Sequence, residues 1–98
     1  MAWVDRATWW DAYRAYLDSP QWHAFRERAL RYYGERCNRC RRRRSQLGPG
    51  EWLEVDHLHY RTVGHERLMD VQILCNTCHG KKTRSARRRR AVRRFLGV

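Results

Sequence analysis

Four cysteines stand as two Cys-x-x-Cys pairs, Cys37–Cys40 and Cys75–Cys78, with 34 residues between them. Each pair brings two sulfurs to one ion. Two pairs complete a tetrahedron with bonds of about 2.3 Å, the pattern of a four-thiolate zinc site. A hairpin inserted between two knuckles needs a gap of this length. A redox role would need only one pair, in a βαβ setting that neither pair has. Four thiolates close the ion's coordination, so this zinc is structural and any catalytic metal is a second one.

Asp56, His57 and His79 remain, and the same staple brings them together: His79 follows Cys78, and Asp56-His57 ends an apolar-alternating run. A carboxylate and an imidazole holding an ion with several open positions suit a hard cation such as Mg²⁺ or Mn²⁺, bridging to phosphate oxygens. A neutral histidine beside that ion takes a proton from water. Metal, base and basic surroundings together describe a phosphodiester hydrolase, in which the ion stabilises charge developing on the phosphate and His57 activates the nucleophile. Strict alternation sets Asp56 and His57 on opposite faces, so serving one phosphate requires the strand to bend or end there. His59 and His65 have nothing to fix them near the metal and read as surface residues.

The charge agrees with a phosphate substrate. The 98 residues carry 22 basic and 10 acidic side chains, a net of +12. Residues 1–35 hold five of each sign, so the whole excess lies in 36–98. A neutral part joined to a basic part points to nucleic acid before an anionic membrane. No apolar run approaches the roughly 20 residues that span a bilayer. Early charges such as Asp5 and Arg6 speak against a signal peptide. Paired cysteines without a secretion signal read as metal ligands in a reducing cytoplasm rather than as disulfides. Two arginine runs are the expected phosphate contacts: Arg41, Arg42, Arg43 and Arg44 beside the first knuckle, and Arg87, Arg88, Arg89 and Arg90 after Lys81 and Lys82.

The positioning elements follow from local pattern. Trp9, Tyr13, Tyr16 and Leu17 recur at helical spacing over 4–18, leaving Trp3 and Trp10 off the stripe. Ser19-Pro20 starts a second helix through Trp22, Phe25, Ala29 and Tyr32, which Gly34 ends. These aromatics read as core rather than as base-stacking platforms. Gly48-Pro49-Gly50 suits a type II turn. Residues 52–59 alternate as a strand, 71–74 form a second, and Asn76 or Thr77 caps a final helix. Val92, Phe95 and Leu96 give that helix a small apolar patch at its far end. One domain is expected over 1–98: a helical part to 35, a metal-bound core over 36–83 and a basic tail from 84.

Leu53-Glu54-Val55-Asp56-His57-Leu58-His59-Tyr60, then Gly64-His65-Glu66, then Asp70 through Cys75-Asn76-Thr77-Cys78-His79, resembles the HNH endonucleases, particularly small bacterial and phage members. Ser19-Pro20-x-Trp22 leading into Cys37-x-x-Cys40 is similar to the same branch. The resemblance covers about residues 16–83. It implies an α+β, mainly helical fold: two N-terminal helices on a zinc-stapled ββα-metal, treble-clef-like motif. His57 would be the general base, Asp56 and His79 the ligands of the catalytic ion, and Asp70 the family's middle residue, fixing the loop by hydrogen bonds. The sequence departs from the family in three places. Asp56 stands where many members have His, Asp70 replaces Asn, and Thr83 occupies the position of a further metal-binding His. The implied activity is hydrolysis of DNA with little sequence specificity. A zinc-stapled binding module with a vestigial site, and a subunit active only within a phage packaging or restriction complex, are the alternatives.

Overall fold

The computed structural model describes residues 6–96, with side chains placed over 7–88. Trp3 and the side chains of Arg89, Arg90, Val92, Phe95 and Leu96 fall outside that range. The elements in order are α1 (Arg6–Leu17), α2 (Pro20–Tyr32), β1 (Leu53–His57), β2 (Val71–Cys75) and α3 (Asn76–Leu96). Short 3-10 turns lie at Arg44–Gln46 and Leu68–Asp70.

Local capping sets α2. The Ser19 side chain accepts the Trp22 N–H at 3.1 Å, with Pro20 in the first turn. At the other end the Glu35 N–H reaches Leu30 O (2.9 Å) and the Gly34 N–H reaches Arg31 O (3.2 Å). That bond pair, with Gly34 at φ +73°, is a Schellman ending, and glycine adopts this left-handed backbone without steric cost. The helix buries Trp22, Phe25, Ala29 and Leu30. Tyr32, expected on that stripe, is 66 % exposed, while Leu30 is fully covered. The chain folds back through Gly34 and Glu35 over the Leu30 side of the last turn, which wheel geometry does not anticipate.

β1 and β2 pair antiparallel, from Leu53 opposite Cys75 to His57 opposite Val71. The strand is shorter than expected at both ends, although the Leu58 N–H still bonds to Asp70 O at 2.9 Å. The Gly48–Glu51 turn forms as expected, closed by Glu51 N–H to Gly48 O at 3.1 Å with Gly50 at φ +75°. Asn76 is bound differently from a helix cap. Its amide accepts the Trp52 N–H (3.1 Å) and donates to Gly50 O (2.9 Å), and the Thr77 hydroxyl donates to Glu51 (3.0 Å). Both side chains therefore fasten the start of α3 to the turn before β1.

The core joins α2 to the sheet and the cysteines: Trp22, Phe25, Ala29, Leu30, Leu53, Val71, Ile73 and Leu74 pack with Cys37, Cys75 and Cys78. Of the α1 stripe, Tyr16 and Leu17 pack against this core. Trp9 and Tyr13 instead join Trp10 and Tyr60 in a separate aromatic cluster, with ring centroids 4.8–5.7 Å apart. The expected core role of Trp9 and Tyr13 is corrected accordingly, because Tyr60 offers α1 a second apolar face beyond the sheet. This cluster also accounts for Trp10.

Candidate active site and metal centre

The knuckles preorganise the four thiols. The Cys37 N–H bonds to Arg42 O (2.9 Å), and the Arg41 N–H returns to Cys37 O (3.0 Å). This tight turn holds Arg41 at φ +66°, a conformation uncommon outside glycine. The Cys40 and Cys78 amides point at the Sγ atoms of Cys37 (3.5 Å) and Cys75 (3.4 Å). All four Sγ atoms lie within 4.8 Å of one another, and no disulfide joins them. Among the described residues this is the one cluster of three or more such groups able to hold an ion.

Charge explains why the cluster calls for a cation. The Arg42 side chain reaches Cys40 Sγ at 3.4 Å, and this contact pulls that thiol down to about 6. Burial raises the Cys37 thiol, but the amides of Cys40, Cys75 and Arg39 bring it below its ordinary value. Cys78 is pushed up to about 12 by burial and then by its contacts with the other cysteines. Four thiols this close cannot all ionise alone, whereas a bound cation deprotonates its thiol ligands outright.

A second cluster forms where Glu54 and Asp56 leave β1 toward α3. His79 Nδ1 lies 2.6 Å from Glu54 Oε2, and its Nε2 lies 3.4 Å from Asp56 Oδ1. Asp56 Oδ2 accepts from Lys82 Nζ (2.5 Å) and Gln72 Nε2 (3.0 Å). Two ligands each about 2.1 Å from one ion, at right-angle to tetrahedral spacing, stand about 3.0–3.4 Å apart. His79 Nε2 and Asp56 Oδ1 fit that spacing. Glu54 fixes the histidine ring through Nδ1, which leaves Nε2 directed toward Asp56. Thr83 donates to His79 O at 3.1 Å within α3 and adds no ligand.

His57 lies on the other face. It is the last residue of β1, and its ring leaves the strand opposite to Asp56 and enters the packing of α1 and α2, with its side chain 2 % exposed. Nε2 meets Glu66 Oε2 at 2.8 Å, Nδ1 meets the Tyr13 hydroxyl at 3.1 Å, and Trp22 stacks on the ring at 4.8 Å. Both ring nitrogens are therefore engaged, Nε2 by Glu66 and Nδ1 by Tyr13. Glu66 also accepts from the Tyr16 hydroxyl (2.6 Å) and the Gly64 N–H (3.2 Å). Burial raises the Glu66 carboxyl, but the bonds from Tyr16 and His57 outweigh it and hold it below the usual range. Burial, then neighbouring Tyr60 and carboxylates, pushes the Tyr13 hydroxyl up to about 12, so it remains a donor.

Asp70 ties down the loop. Its carboxylate accepts from the Thr62 hydroxyl (2.9 Å), the Arg67 N–H (2.9 Å) and the Arg67 guanidinium (3.2 Å). It also holds His59 Nε2 at 3.1 Å, so His59 is not the unanchored surface residue its sequence context suggested. His65 is exposed. The Arg67 contacts, led by its guanidinium, set the Asp70 carboxyl well below the ordinary carboxylate range.

The first arginine run divides by direction. Arg42 turns inward, forking onto Glu51 at 2.9 and 2.6 Å beside Cys40 and Cys75. Arg44 pairs with Glu35 at 2.8 Å, and Arg41 reaches Asn38 Oδ1 at 3.4 Å. Arg41, Arg43 and Arg44 are exposed. On α3, Lys81, Lys82, Arg87 and Arg88 are exposed as well, Lys82 against Asp56.

The match that decides the family covers residues 37–85, from the first knuckle through the opening turns of α3, and is to the HNH endonuclease. The chain belongs to the HNH endonuclease family. The matched span contains both Cys-x-x-Cys pairs, Asp56, His57, Asp70 and His79. Membership brings a nuclease assignment and a nucleic-acid substrate, and the hairpin, helix and thiol cluster agree with a ββα-metal HNH fold. Residues 6–31, covering α1 and most of α2, match the ATP-dependent helicase/deoxyribonuclease AddB fifth domain. No curated protein and no solved structure matches the chain. Among the described residues no helix is long and apolar enough to cross a membrane.

Sequence reasoning about this HNH protein missed Glu54, Glu66 and Gln72. Glu54 carried a usable signal, since alternation puts it on the same face as Asp56. Gln72 carried one only once the strand register was known. Glu66 meets His57 across a loop, where no periodicity operates.

Proposed function

We propose that this HNH protein is a metal-dependent endonuclease that hydrolyses phosphodiester bonds in DNA with little sequence specificity. The four cysteines hold a structural zinc, and Asp56 and His79 hold a catalytic Mg²⁺ or Mn²⁺. The observation that carries this reading is the convergence of His79 Nε2 and Asp56 Oδ1 at 3.4 Å, with Glu54 on the far ring nitrogen. A hard divalent ion supplies charge stabilisation at the phosphate and a water of lowered pKa. Glu54 keeps His79 in the tautomer that presents Nε2. Lys82, 44 % exposed beside Asp56, offers an ammonium to a phosphate oxygen. Asp70 holds the loop between the strands, the role the family's middle position implies.

His57 enters this scheme through its packing, since both ring nitrogens are engaged and the ring is closed off from solvent. A proton-accepting role at His57 requires release of Tyr13 and Glu66. That closure favours a second reading, a zinc-stapled nucleic-acid-binding module whose nuclease site is vestigial. Supercoiled plasmid incubated with the protein in Mn²⁺, and in chelator, separates the two. Metal-dependent nicking that disappears in Asp56→Ala supports the endonuclease; tight binding without nicking supports the module.

A further inference from the structure

Asp56 has two oxygens with different duties, and the origin of that difference lies outside the metal-binding cluster. Oδ2 accepts from Gln72 Nε2 at 3.0 Å and from Lys82, while Oδ1 faces His79 Nε2 at 3.4 Å. Gln72 sits directly opposite Asp56 in the strand register, so the hairpin itself delivers this donor. An amide side chain can point either end at a carboxylate, and only the NH₂ end is attractive. Asn38 fixes the choice. Its Nδ2 donates to Gln72 Oε1 at 3.2 Å, committing the Gln72 oxygen to the knuckle and its nitrogen to Asp56. Asn38 is oriented in turn, because Arg41 Nη1 donates to its Oδ1 at 3.4 Å and its own N–H bonds to Ile73 O at 2.7 Å. Asn38 lies between Cys37 and Cys40, within the turn that the tetrathiolate ion would hold.

We infer that Asn38 and Gln72 are positioning residues that link the structural metal knuckle to the catalytic carboxylate. Gln72, oriented by Asn38, binds Asp56 Oδ2 so that Oδ1 is presented beside His79. This rests on the proposed assignment of Asp56 and His79 as ligands of a divalent ion. A carboxylate held through one oxygen keeps the ion's remaining positions open for water and phosphate, whereas a freely rotating one can close over the ion with both. Loss of hydrogen bonds of this kind behind a ligand typically costs about 10–100-fold in metal affinity.

The test titrates Mn²⁺ into zinc-loaded protein and follows the free-ion resonance, with zinc content and melting temperature measured on each sample. Gln72→Met, which keeps length and loses the donor, is expected to weaken Mn²⁺ binding about 10–100-fold at unchanged zinc content. Asn38→Asp offers Gln72 only acceptors, so Gln72 turns its amide oxygen toward Asp56. A loss is therefore expected although Asn38 touches neither Asp56 nor His79. The double variant is expected to bind Mn²⁺ as Gln72→Met does, since one relay is broken once. Full Mn²⁺ affinity in Gln72→Met, with Asp56→Ala unable to bind, overturns the relay and leaves the ligand assignment standing. Equal Mn²⁺ binding by wild type and Asp56→Ala, or no binding by either, overturns both. Additive losses in the double variant also overturn the relay.

Discussion

Asp56 and His57 are consecutive residues whose side chains leave β1 in opposite directions, Asp56 to His79 and Lys82 of α3 and His57 to Tyr13, Trp22 and Glu66. The hairpin therefore serves two masters with one dipeptide. One face carries the donor set proposed for an ion, and the other anchors the N-terminal helices through a buried imidazole–carboxylate pair. The anchor adds specific polar contacts to the apolar packing of the helices, since Tyr13 and Tyr16 of α1 reach His57 and Glu66.

The His57–Glu66 pair predicts a stability phenotype. Removing His57 takes one donor from the buried Glu66 carboxylate, which keeps Tyr16 and the Gly64 N–H, and opens space beside Trp22, at a cost of about 1–3 kcal/mol for the lost hydrogen bond. His57→Ala should lower the denaturant midpoint markedly, and His57→Ala/Glu66→Gln should recover part of the loss, because a neutral amide tolerates burial better than a carboxylate short of a donor. If His57 is instead an accessible general base, His57→Ala removes about 10²–10⁴-fold of the rate and leaves the midpoint unchanged. Denaturant melts and plasmid nicking on the same variant distinguish these outcomes.

What the sequence made legible was local. The Ser19-Pro20 start, the Gly34 ending and the Gly48–Glu51 turn depend on neighbours in the chain, and all three form as expected. The cysteine spacing was legible because ligand geometry restricts it so tightly. Alternation even exposed the conflict between Asp56 and His57, and the conflict is real: the strand ends at His57, yet the two side chains still part. What escaped was direction set from a distance. Arg42 looks inward because the turn at Arg41 swings the chain toward Glu51 and the thiols, and nothing in a run of four arginines marks which one turns. Glu66 and Tyr60 gain their partners only when the loop between the strands closes.

The inward turn of Arg42 predicts that the arginine run acts unevenly. On duplex DNA each neutralised phosphate contributes about −0.9 to the slope of log K against log salt. Arg43→Ala should make that slope shallower by about this amount with melting temperature unchanged, Arg43 being exposed. Arg42→Ala should lower the melting temperature and leave the slope as it was, because its guanidinium faces Glu51 and sulfur. Equal slopes and equal melting temperatures in the two variants would contradict the division.

The tetrathiolate site should be inseparable from the fold. On the proposed assignment, structural zinc contributes about 10–16 kcal/mol of apparent binding energy, against a net stability of about 5–15 kcal/mol for a domain. Cys75, the last residue of β2, is fully buried in the core cluster, so its loss removes a ligand and opens the core together. Cys75→Ser or prolonged chelation should abolish the cooperative thermal transition and release one zinc per chain. A sharp transition in zinc-free protein would remove the site from the stability argument.

Acid should reveal the Arg42–Glu51 fork. Arg42, the Gly48 N–H and Thr77 together hold the Glu51 carboxyl down at about 2, against an ordinary glutamate value of about 4.3 in the unfolded chain. Between those values the unfolded chain binds a proton that the folded chain does not, so stability rises with pH across the window and is lost as pH falls through it. Glu51→Gln keeps an acceptor for Arg42 but does not titrate. Its stability should fall short of wild type by the full difference above about pH 4.5, and the shortfall should shrink as pH approaches 2. Asp70 and Glu66 are also held low, and thiolates protonate in acid, but all of these are common to both proteins and cancel in the difference. Denaturant melts of the pair from pH 2.5 to 6 supply the measurement. A shortfall that does not vary with pH would mean that the fork contributes by shape and not by charge.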